Sequence, residues 1–323
     1  MPEPFTFAQS TIPTAFEFAR REMQDDHASA ARANRLGALS MVGAMACFVV
    51  NDGIIKYVSQ TLPAAQLIFI RSAMASALVL AVAQAMGATG RIREIALGWV
   101  ATRAVVDAIA TMLFLWSLFH LPIANATAIN MASPLVTVTL AALLMGERVG
   151  VSRALAIGAG FIGVLLIIQP RTEGLNVFAL VCFLATLLHA IRDLMTRQVH
   201  IGVPSILVTL STSVAVTMLA GTLSLFEPWR PFGLVEMGLL TVAAIFLAVA
   251  YYLIVSCTRS GEFALIAPFR YSGLLFATFA GYLVWGDEPN VLAWCGIALL
   301  TGSGVIILRA SRRAEPAAKP SAG

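Results

Sequence analysis

Charged residues are scarce in this sequence. They make up 12% of its 323 residues, whereas an ordinary globular chain is roughly 25% charged. Hydrophobic residues make up 59%, more than a soluble chain of this length can hide from water. Crossing a bilayer takes about 20 consecutive apolar residues, and that length recurs along the chain. The composition therefore predicts an all-α, polytopic membrane protein embedded in a lipid bilayer.

Cysteines and enzyme motifs are also scarce. The four cysteines include no CxxC spacing, so neither a disulfide framework nor a metal site is expected. There is no HExxH, GxSxG or P-loop motif, so no catalytic residue, no cofactor and no ATP-driven step are predicted. GAGFIG at 158–163 matches a dinucleotide fingerprint, but it lies in an apolar run, where small residues let helices pack closely. The basic residues behind the net charge of +4 are scattered between apolar runs, which does not indicate nucleic acid as a partner.

Ten apolar runs are bounded by Gly, Pro or charged residues. Backbone polar groups must be satisfied internally in lipid, so each run is predicted to be a helix. Basic residues concentrate in the segments that are cytosolic when the amino terminus is inside, so both termini, 1–35 and 310–323, are predicted to be cytosolic tails. The runs span 36–57, 64–86, 98–120, 123–146, 150–169, 176–198, 204–226, 234–256, 261–285 and 290–309.

An internal repeat emerges when the chain is aligned with itself at a shift of 141 positions. The aligned pairs are Asp52 with Asp193, Lys56 with Arg197, Pro63 with Pro204, Glu147 with Glu288, and Gly163-Val164 with Gly304-Val305. The two copies, 36–169 and 176–309, each hold five predicted helices. Because five is odd, the second copy enters the membrane from the opposite face. The sequence therefore predicts an inverted repeat, which is typical of secondary transporters.

This layout resembles the drug/metabolite transporter superfamily, in its branch built from two EamA-type domains. The blocks that carry the resemblance are LLMGERVGVSRALAIGAGFIGVLLI (143–167) and YLVWGDEPNVLAWCGIALLTGSGVIIL (282–308), each with a Glu after the fourth helix of a repeat and a Gly-Val in the fifth. NDGIIKYV and RSAMA are also similar to the bacterial branch that includes riboflavin and S-adenosylmethionine uptake carriers.

The resemblance implies an alternating-access carrier for a small organic metabolite in the bacterial inner membrane. One alternative is a proton-coupled exporter of amino acids or drugs. A passive channel and a membrane-embedded enzyme are the alternatives from other classes, although the missing motifs argue against an enzyme. The sequence leaves the direction of transport, the coupling ion and a homodimer open.

Ionisable residues inside the apolar runs are functional candidates, because a charge at the bilayer centre costs about 2.5 to 3.5 kcal/mol on insertion scales. Asp52 and Asp193 each precede a cation by four residues, Lys56 or Arg197, on the same helical face. Each pair can neutralise itself and snorkel to its nearer interface, or can form part of an outer or inner gate. Arg71 lies about 10 Å from the outer end of its helix, close enough to snorkel.

Arg270, in LIAPFRYSG, is the predicted substrate contact, because it lies near the membrane midplane, two residues after Pro268, which frees backbone carbonyls. A guanidinium grips carboxylate or phosphate bidentately, which predicts a substrate with an anionic or zwitterionic group. A structural ion pair is the alternative. Arg103 and Asp107, four residues apart, are expected to pair with each other. If they separate during transport, Asp107 can pair with Arg270 or with substrate.

Aromatic and neutral polar residues complete the candidates. His189 titrates near neutral pH and is a candidate for proton coupling, with a hydrogen-bonded packing role as the alternative. Stacking on a planar substrate and helix packing are the two interpretations of the aromatic candidates. The further candidates for the substrate site are Tyr271, Trp116, Asn51 and Asn130.

Overall fold

The computed structural model describes residues 15–145, 150–168, 176–196, 198–200, 202–260 and 266–314. In these ranges the regular structure is helical throughout. Short 3-10 helices lie at Ala88–Ala96 and Ala267–Tyr271. The α-helices are α1 (Ala15–Val58), α2 (Ala64–Ala85), α3 (Gly98–His120), α4 (Ile123–Asn130), α5 (Ser133–Met145), α6 (Val151–Ile168), α7 (Val177–Thr196), α8 (Ser205–Ser224), α9 (Leu234–Ser260), α10 (Ser272–Trp285) and α11 (Val291–Ala314).

Among the described residues, seven segments are long and apolar enough to cross a membrane. They lie in α1, α2, α3, the α4–α5 pair, α7, α8 and α9, while α6 and α11 contain shorter apolar stretches, Ala154–Ile168 and Val291–Ile306. Large apolar side chains such as Leu155 and Leu165 stay exposed on the outside of the bundle, where lipid would cover them. The chain is therefore an integral membrane protein, and ten crossings remain a prediction.

Each apolar run of the sequence overlaps a helix, but α1, α9 and α11 extend beyond the predicted runs. α9 continues to Ser260, past the predicted end at 256. α1 begins at Ala15 and therefore includes part of the predicted amino-terminal tail. The added segment is rich in Ala and Arg and has no Pro or Gly before Gly37, so its residues favour helix without needing an apolar pattern. At the other end, α11 continues to Ala314.

The fourth run differs from its prediction, because it is interrupted between α4 and α5. Pro134 has no N–H, so it cannot bond to the carbonyl of Asn130 one turn earlier. The chain instead makes a tighter turn, in which the Ala132 N–H donates to the Ile129 carbonyl at 3.1 Å. Pro268 similarly lies in the 3-10 helix that precedes α10. Both interruptions place irregular backbone within segments predicted to cross the membrane.

Helix contacts define how the bundle is built. The contacting pairs are α1 with α9 and α10, α2 with α8 and α9, α3 with α7 and α8, α7 with α4 and α5, α4 with α10, and α6 with α11. Close approach of α6 and α11 depends on glycine, because a Cβ on Gly163 would lie 2.7 Å from the carbonyl oxygen of Gly296. The packing interpretation of the GAGFIG segment is thus confirmed.

Candidate functional site

An ion-pair network lies between α3 and α7. Arg192 of α7 places Nη1 2.7 Å from Oδ1 of Asp107, a buried carboxylate of α3. Nη2 of the same guanidinium lies 2.8 Å from Oδ1 of Asp193. Both distances are those of strong, charge-assisted hydrogen bonds. Arg192 therefore bridges two carboxylates inside the bundle.

Asp107 has further partners that hold its second oxygen. The hydroxyl of Thr212 donates to Oδ2 at 3.1 Å. Arg103 lies 3.8 Å from the same oxygen, donates to Thr212 at 2.9 Å and donates to Thr196 at 2.7 Å. The predicted Arg103–Asp107 pair is confirmed, but Arg192 is the closer partner of Asp107. The network thereby joins α3, α7 and α8.

His189 and Asn130 belong to the same network. Nδ1 of His189 lies 2.9 Å from Oδ1 of Asn130, and Nε2 lies 3.8 Å from Oδ1 of Asp107. The imidazole also packs against the ring of Phe114, with centroids 6.3 Å apart. These contacts match a hydrogen-bonded packing role, and they also place a titratable ring beside a carboxylate. Proton coupling therefore stays a prediction.

Asp193 lies at the edge of the network, with its side chain partly exposed. Its Oδ1 accepts from Arg192, and the hydroxyl of Ser133 lies 3.4 Å from its Oδ2. Arg197, its predicted partner, lies outside the described residues. The Asp193–Arg197 pair therefore stays a prediction.

A second polar group lies in the half of the bundle predicted to face outward. The amide nitrogen of Asn51 donates to Oδ1 of Asp52 at 2.8 Å. Nη1 of Arg71 donates to the side-chain Oδ1 of Asn51 at 3.2 Å, and Nη2 donates to the hydroxyl of Ser72 at 3.3 Å. Arg71 is 3% exposed, so the interpretation that it snorkels to the surface is wrong. Its guanidinium is held inside by α1.

Lys56 does not pair with Asp52. Its ammonium donates to the backbone carbonyl of Leu118 at 2.8 Å and to that of Leu121, and it lies 5.5 Å from the centroid of the Trp285 ring. Among the described residues, no ion pair within 4.0 Å joins Lys56 to a carboxylate. The predicted self-neutralising pair is therefore wrong. The last carbonyls of a helix lack intrahelical partners and carry partial negative charge, which attracts the ammonium to the end of α3.

Arg270 lies partly buried at the end of the 3-10 helix before α10. It interacts electrostatically with His189, which places it beside the network. Within the described ranges, no carboxylate lies within 4.0 Å of its guanidinium. Asp107, a predicted alternative partner, is instead occupied by Arg192.

The aromatic candidates lie in packed surroundings. Tyr271 is buried, and a Cβ on Gly304 would lie 1.7 Å from its hydroxyl oxygen, so the ring fills space that only glycine leaves. Trp116 is 42% exposed and packs edge-on against His120 and Phe178, with centroids 5.8 and 5.5 Å away. Trp116 therefore contacts its own aromatic cluster and not the ionic network.

Sequence reasoning assigned no role to three residues that the structure brings together, namely Arg192, Thr212 and Ser133. Arg192 carries a detectable signal, because it is charged and lies within an apolar run. Its partner Asp107 is 85 residues away in sequence, and neutral hydroxyls within apolar runs are too common to be informative. The contacts therefore follow from helix packing and have no local motif.

Charge is unevenly balanced inside the bundle. Lys56 and four arginines face three carboxylates in the interior of the described helices, so positive charge is in excess there. No group of three or more metal-ligating side chains occurs within the described ranges. The ionic residues are Lys56, Arg71, Arg103, Arg192, Arg270, Asp52, Asp107 and Asp193.

A cavity of about 400 Å³ lies at the end of the bundle near Lys56. It is bounded by the start of α4, the end of α6, the start of α7 and the segment before α11. Its polar lining includes Asn125, Asn176, Asp287 and Glu288. The cavity is large enough for a small metabolite.

Comparisons with known proteins agree with this architecture. Residues 35–169 match the EamA-like transporter family. The chain is 31% identical over 215 residues to a riboflavin transporter of Rhizobium johnstonii, covering 66% of this chain and 71% of the relative. It is 24% identical to a pseudopaline exporter of Pseudomonas aeruginosa, covering 85% and 97%. A crystal structure of a protein 18% identical in sequence shares the fold, with a TM-score of 0.61 over 89% of this chain and all of that chain. The chain therefore belongs to the EamA-like transporter family of the drug/metabolite transporter superfamily.

Proposed function

We propose that the protein is a secondary transporter that moves a small organic metabolite with an anionic or zwitterionic group across the bacterial inner membrane by alternating access. Both termini are cytosolic in this proposal. The relatives are named as transporters and not as enzymes, and the proposal adds the mechanism, the orientation and the class of substrate.

The observation that carries the mechanism is a symmetry in the helix contacts. The repeat at a shift of 141 positions pairs α1 with α7, α2 with α8, α3 with α9, the α4–α5 pair with α10, and α6 with α11. If each helix is replaced by its counterpart, the α1–α9 contact corresponds to the α3–α7 contact, and the α2–α9 contact corresponds to the α3–α8 contact. All four of these contacts are present in the structure. This supports two inverted five-helix repeats that can rock against each other around a central site.

Proline-interrupted segments in corresponding helices of the two repeats support the same mechanism. Pro134 lies in the first turn of α5, directly after the break from α4, and Pro268 lies in the 3-10 helix before α10. Discontinuous helices in the two halves of a transporter expose backbone groups near the bilayer midplane, where substrate binds. α4 contacts α10, so the two interruptions belong to neighbouring segments.

Arg270 supports an anionic or zwitterionic substrate. It follows Pro268 by two residues, lies near enough to His189 to interact electrostatically, and has no paired carboxylate among the described residues. A partly buried guanidinium at membrane depth without a carboxylate partner is costly, and an anionic substrate group would offset that cost. The His189 and Asp107 side of the network is then the adjoining wall of the site.

The proposed gates lie at the two ends of the bundle. Lys56, bound to the end of α3, belongs to the outer gate. The proposed inner gate contains Asp193 and Arg197, with the Arg192 network beside it. Alternating access requires that one gate opens while the other stays closed.

A binding screen tests the substrate assignment. The purified protein is heated with riboflavin, S-adenosylmethionine, amino acids, nucleosides or organic acids, and the metabolite that raises the unfolding temperature is taken for affinity measurements. Arg270→Lys keeps the charge but not the bidentate fork, so it should weaken binding, and Arg270→Met should weaken it about ten- to a hundredfold.

Arg93→Met is the control, because Arg93 is exposed in the 3-10 helix Ala88–Ala96 and should leave affinity unchanged. A folded Arg270→Met protein that binds its metabolite with unaltered affinity would overturn the assignment, and Arg103 would be the next residue to test.

A further inference from the structure

Arg71 is a buried cation with unused hydrogen-bonding capacity. Its Nε is buried and has no hydrogen-bond partner, and its two known bonds, to Asn51 and Ser72, are long at 3.2 and 3.3 Å. Among the described residues no carboxylate lies within 4.0 Å of it. Asp52 interacts with it electrostatically but bonds to the amide of Asn51. Arg71 therefore differs from Arg192, which contacts two carboxylates.

The internal repeat relates the surroundings of Arg71 to those of Arg192. A shift of 141 positions aligns Asn51 with Arg192 and Arg71 with Thr212. Each half thus contributes one arginine and one neutral polar side chain. In the first half the arginine lies on the second helix, α2, whereas in the second half it lies on the first helix, α7. In the half predicted to face the cytosol, Arg192 and Thr212 both donate to Asp107.

The counterpart of Asp107 is Ala248 of α9. Tyr251, three residues further along α9 and on a neighbouring part of the same face, interacts electrostatically with Arg71. α9 also contacts both α1 and α2, which carry Asn51 and Arg71. The outer half therefore has Asn51 at the position of Arg192, Arg71 at the position of Thr212, and an alanine where the inner network has its carboxylate.

We infer that Arg71 and Asn51 form an oxyanion site in the outer half of the bundle, which binds a carboxylate or phosphate group at the place that Asp107 occupies in the inner half. The inference rests on the inverted repeat of the proposed function. Nε and Nη2 of one guanidinium can donate to two oxygens of the same anion. The two sources of such a group are the transported metabolite and a free inorganic anion.

Anion binding to the full-length protein in phosphatidylcholine nanodiscs tests the site. Inorganic phosphate or acetate replaces chloride at constant ionic strength, and the rise in unfolding temperature gives the affinity. Arg71→Gln should weaken binding of both anions about ten- to a hundredfold. Arg93→Gln, at an exposed position, should bind them as the unsubstituted protein does.

Ala248→Asp tests the same site without removing Arg71. A carboxylate at this position should pair with the guanidinium, abolish the response to phosphate and acetate, and leave the protein folded. The inference is overturned if either anion binds Ala248→Asp and Arg71→Gln as tightly as the unsubstituted protein, if neither anion exceeds the chloride baseline, or if Ala248→Asp does not fold. The Ala248→Asp result decides the matter if Arg71→Gln fails to fold.

Competition identifies the source of the anion. If the transported metabolite displaces phosphate, the anionic group bound at Arg71 belongs to the metabolite. If the metabolite and phosphate bind together, the site binds a free inorganic anion. Either result requires the oxyanion site. A protein that binds its metabolite but shows no binding of phosphate or acetate would overturn only the inference, and a protein that binds phosphate at Arg71 but transports no metabolite would overturn only the proposed function.

Discussion

Arg192 and Asp107 join helices from the two halves of the chain, with 2.7 Å between Nη1 and Oδ1. The side chain of Asp107 is 5% exposed and that of Arg192 is 19% exposed. Removing one partner of a buried ion pair leaves a charge that neither water nor protein solvates well. This contact should therefore contribute to both the fold and the transport cycle.

Asp107→Asn should lower the free energy of unfolding by about 3 to 5 kcal/mol, as breaking a buried ion pair does. The double variant Asp107→Asn with Arg192→Gln should be destabilised by less than the sum of the two single variants, because the pair is then removed together. Denaturant unfolding in detergent micelles measures both effects.

Glu94→Gln is the matched control, since it removes a carboxylate from the more exposed Arg91–Glu94 pair. Such a pair is worth about 1 kcal/mol or less. If Asp107→Asn and Glu94→Gln lower stability equally, the buried network does not have the role assigned to it.

Two glycines of the GAGFIG segment should respond differently to alanine. A Cβ on Gly163 would lie 2.7 Å from the carbonyl oxygen of Gly296, whereas a Cβ on Gly158 meets nothing within 4 Å. Gly163→Ala should lower the free energy of unfolding by about 1 to 3 kcal/mol, because it forces α6 and α11 apart. Gly158→Ala should raise it by up to about 1 kcal/mol. Thermal unfolding of the two variants side by side measures the difference, and equal effects would argue against close packing of α6 on α11.

The positions of the helices could be predicted from sequence, because apolar runs closed by Gly, Pro or charge are long compared with the error at their ends. The interruption before α5 was missed, although Pro134 gave a signal for it. The extension of α1 back to Ala15 was also missed, because a polar helix has no apolar pattern to detect.

The partners of the ionic residues could be predicted only in part. Spacing by four residues on one helix identified the Arg103–Asp107 pair but wrongly paired Asp52 with Lys56. The actual partners of Lys56 are the backbone carbonyls of Leu118 and Leu121 at the end of α3, which are 62 and 65 residues away in the sequence. Which helix supplies a partner is decided by packing, and spacing along one helix does not contain that information.

Lys56→Met should favour opening toward the outer side. The change removes the donor that holds α1 to the end of α3, and loss of a hydrogen bond to a charged group shifts an equilibrium about ten- to a hundredfold. A cysteine introduced at Asn125, which lines the nearby cavity, should then react faster with a membrane-impermeant thiol reagent added outside.

Lys56→Arg keeps a cationic donor and is the control for this measurement. Its labelling rate should stay close to that of the Asn125→Cys protein alone. Equal rates in all three proteins, with full transport, would show that Lys56 is not part of a gate.

Reporters at the carboxyl terminus and in the segment between α8 and α9 should reveal the proposed orientation. A reporter that is active only in the cytosol should be active when fused after Gly323 and inactive when inserted at 227–232, the segment between α8 and α9. The physical reason is the concentration of Lys and Arg on the cytosolic side. Reporters that give the same signal at both places would contradict the orientation and the inverted repeat with it.

Counterflow tests the central claim, that the protein is an alternating-access carrier, most directly. Liposomes containing the protein are loaded with an excess of the unlabelled metabolite identified by the binding screen, and a trace of labelled metabolite is added outside. A carrier returns to the outer side more often with substrate bound, so labelled metabolite should accumulate inside transiently above its outside concentration, and Arg270→Met should reduce this overshoot. Labelled metabolite that equilibrates without any overshoot would indicate a passive channel and would contradict the account.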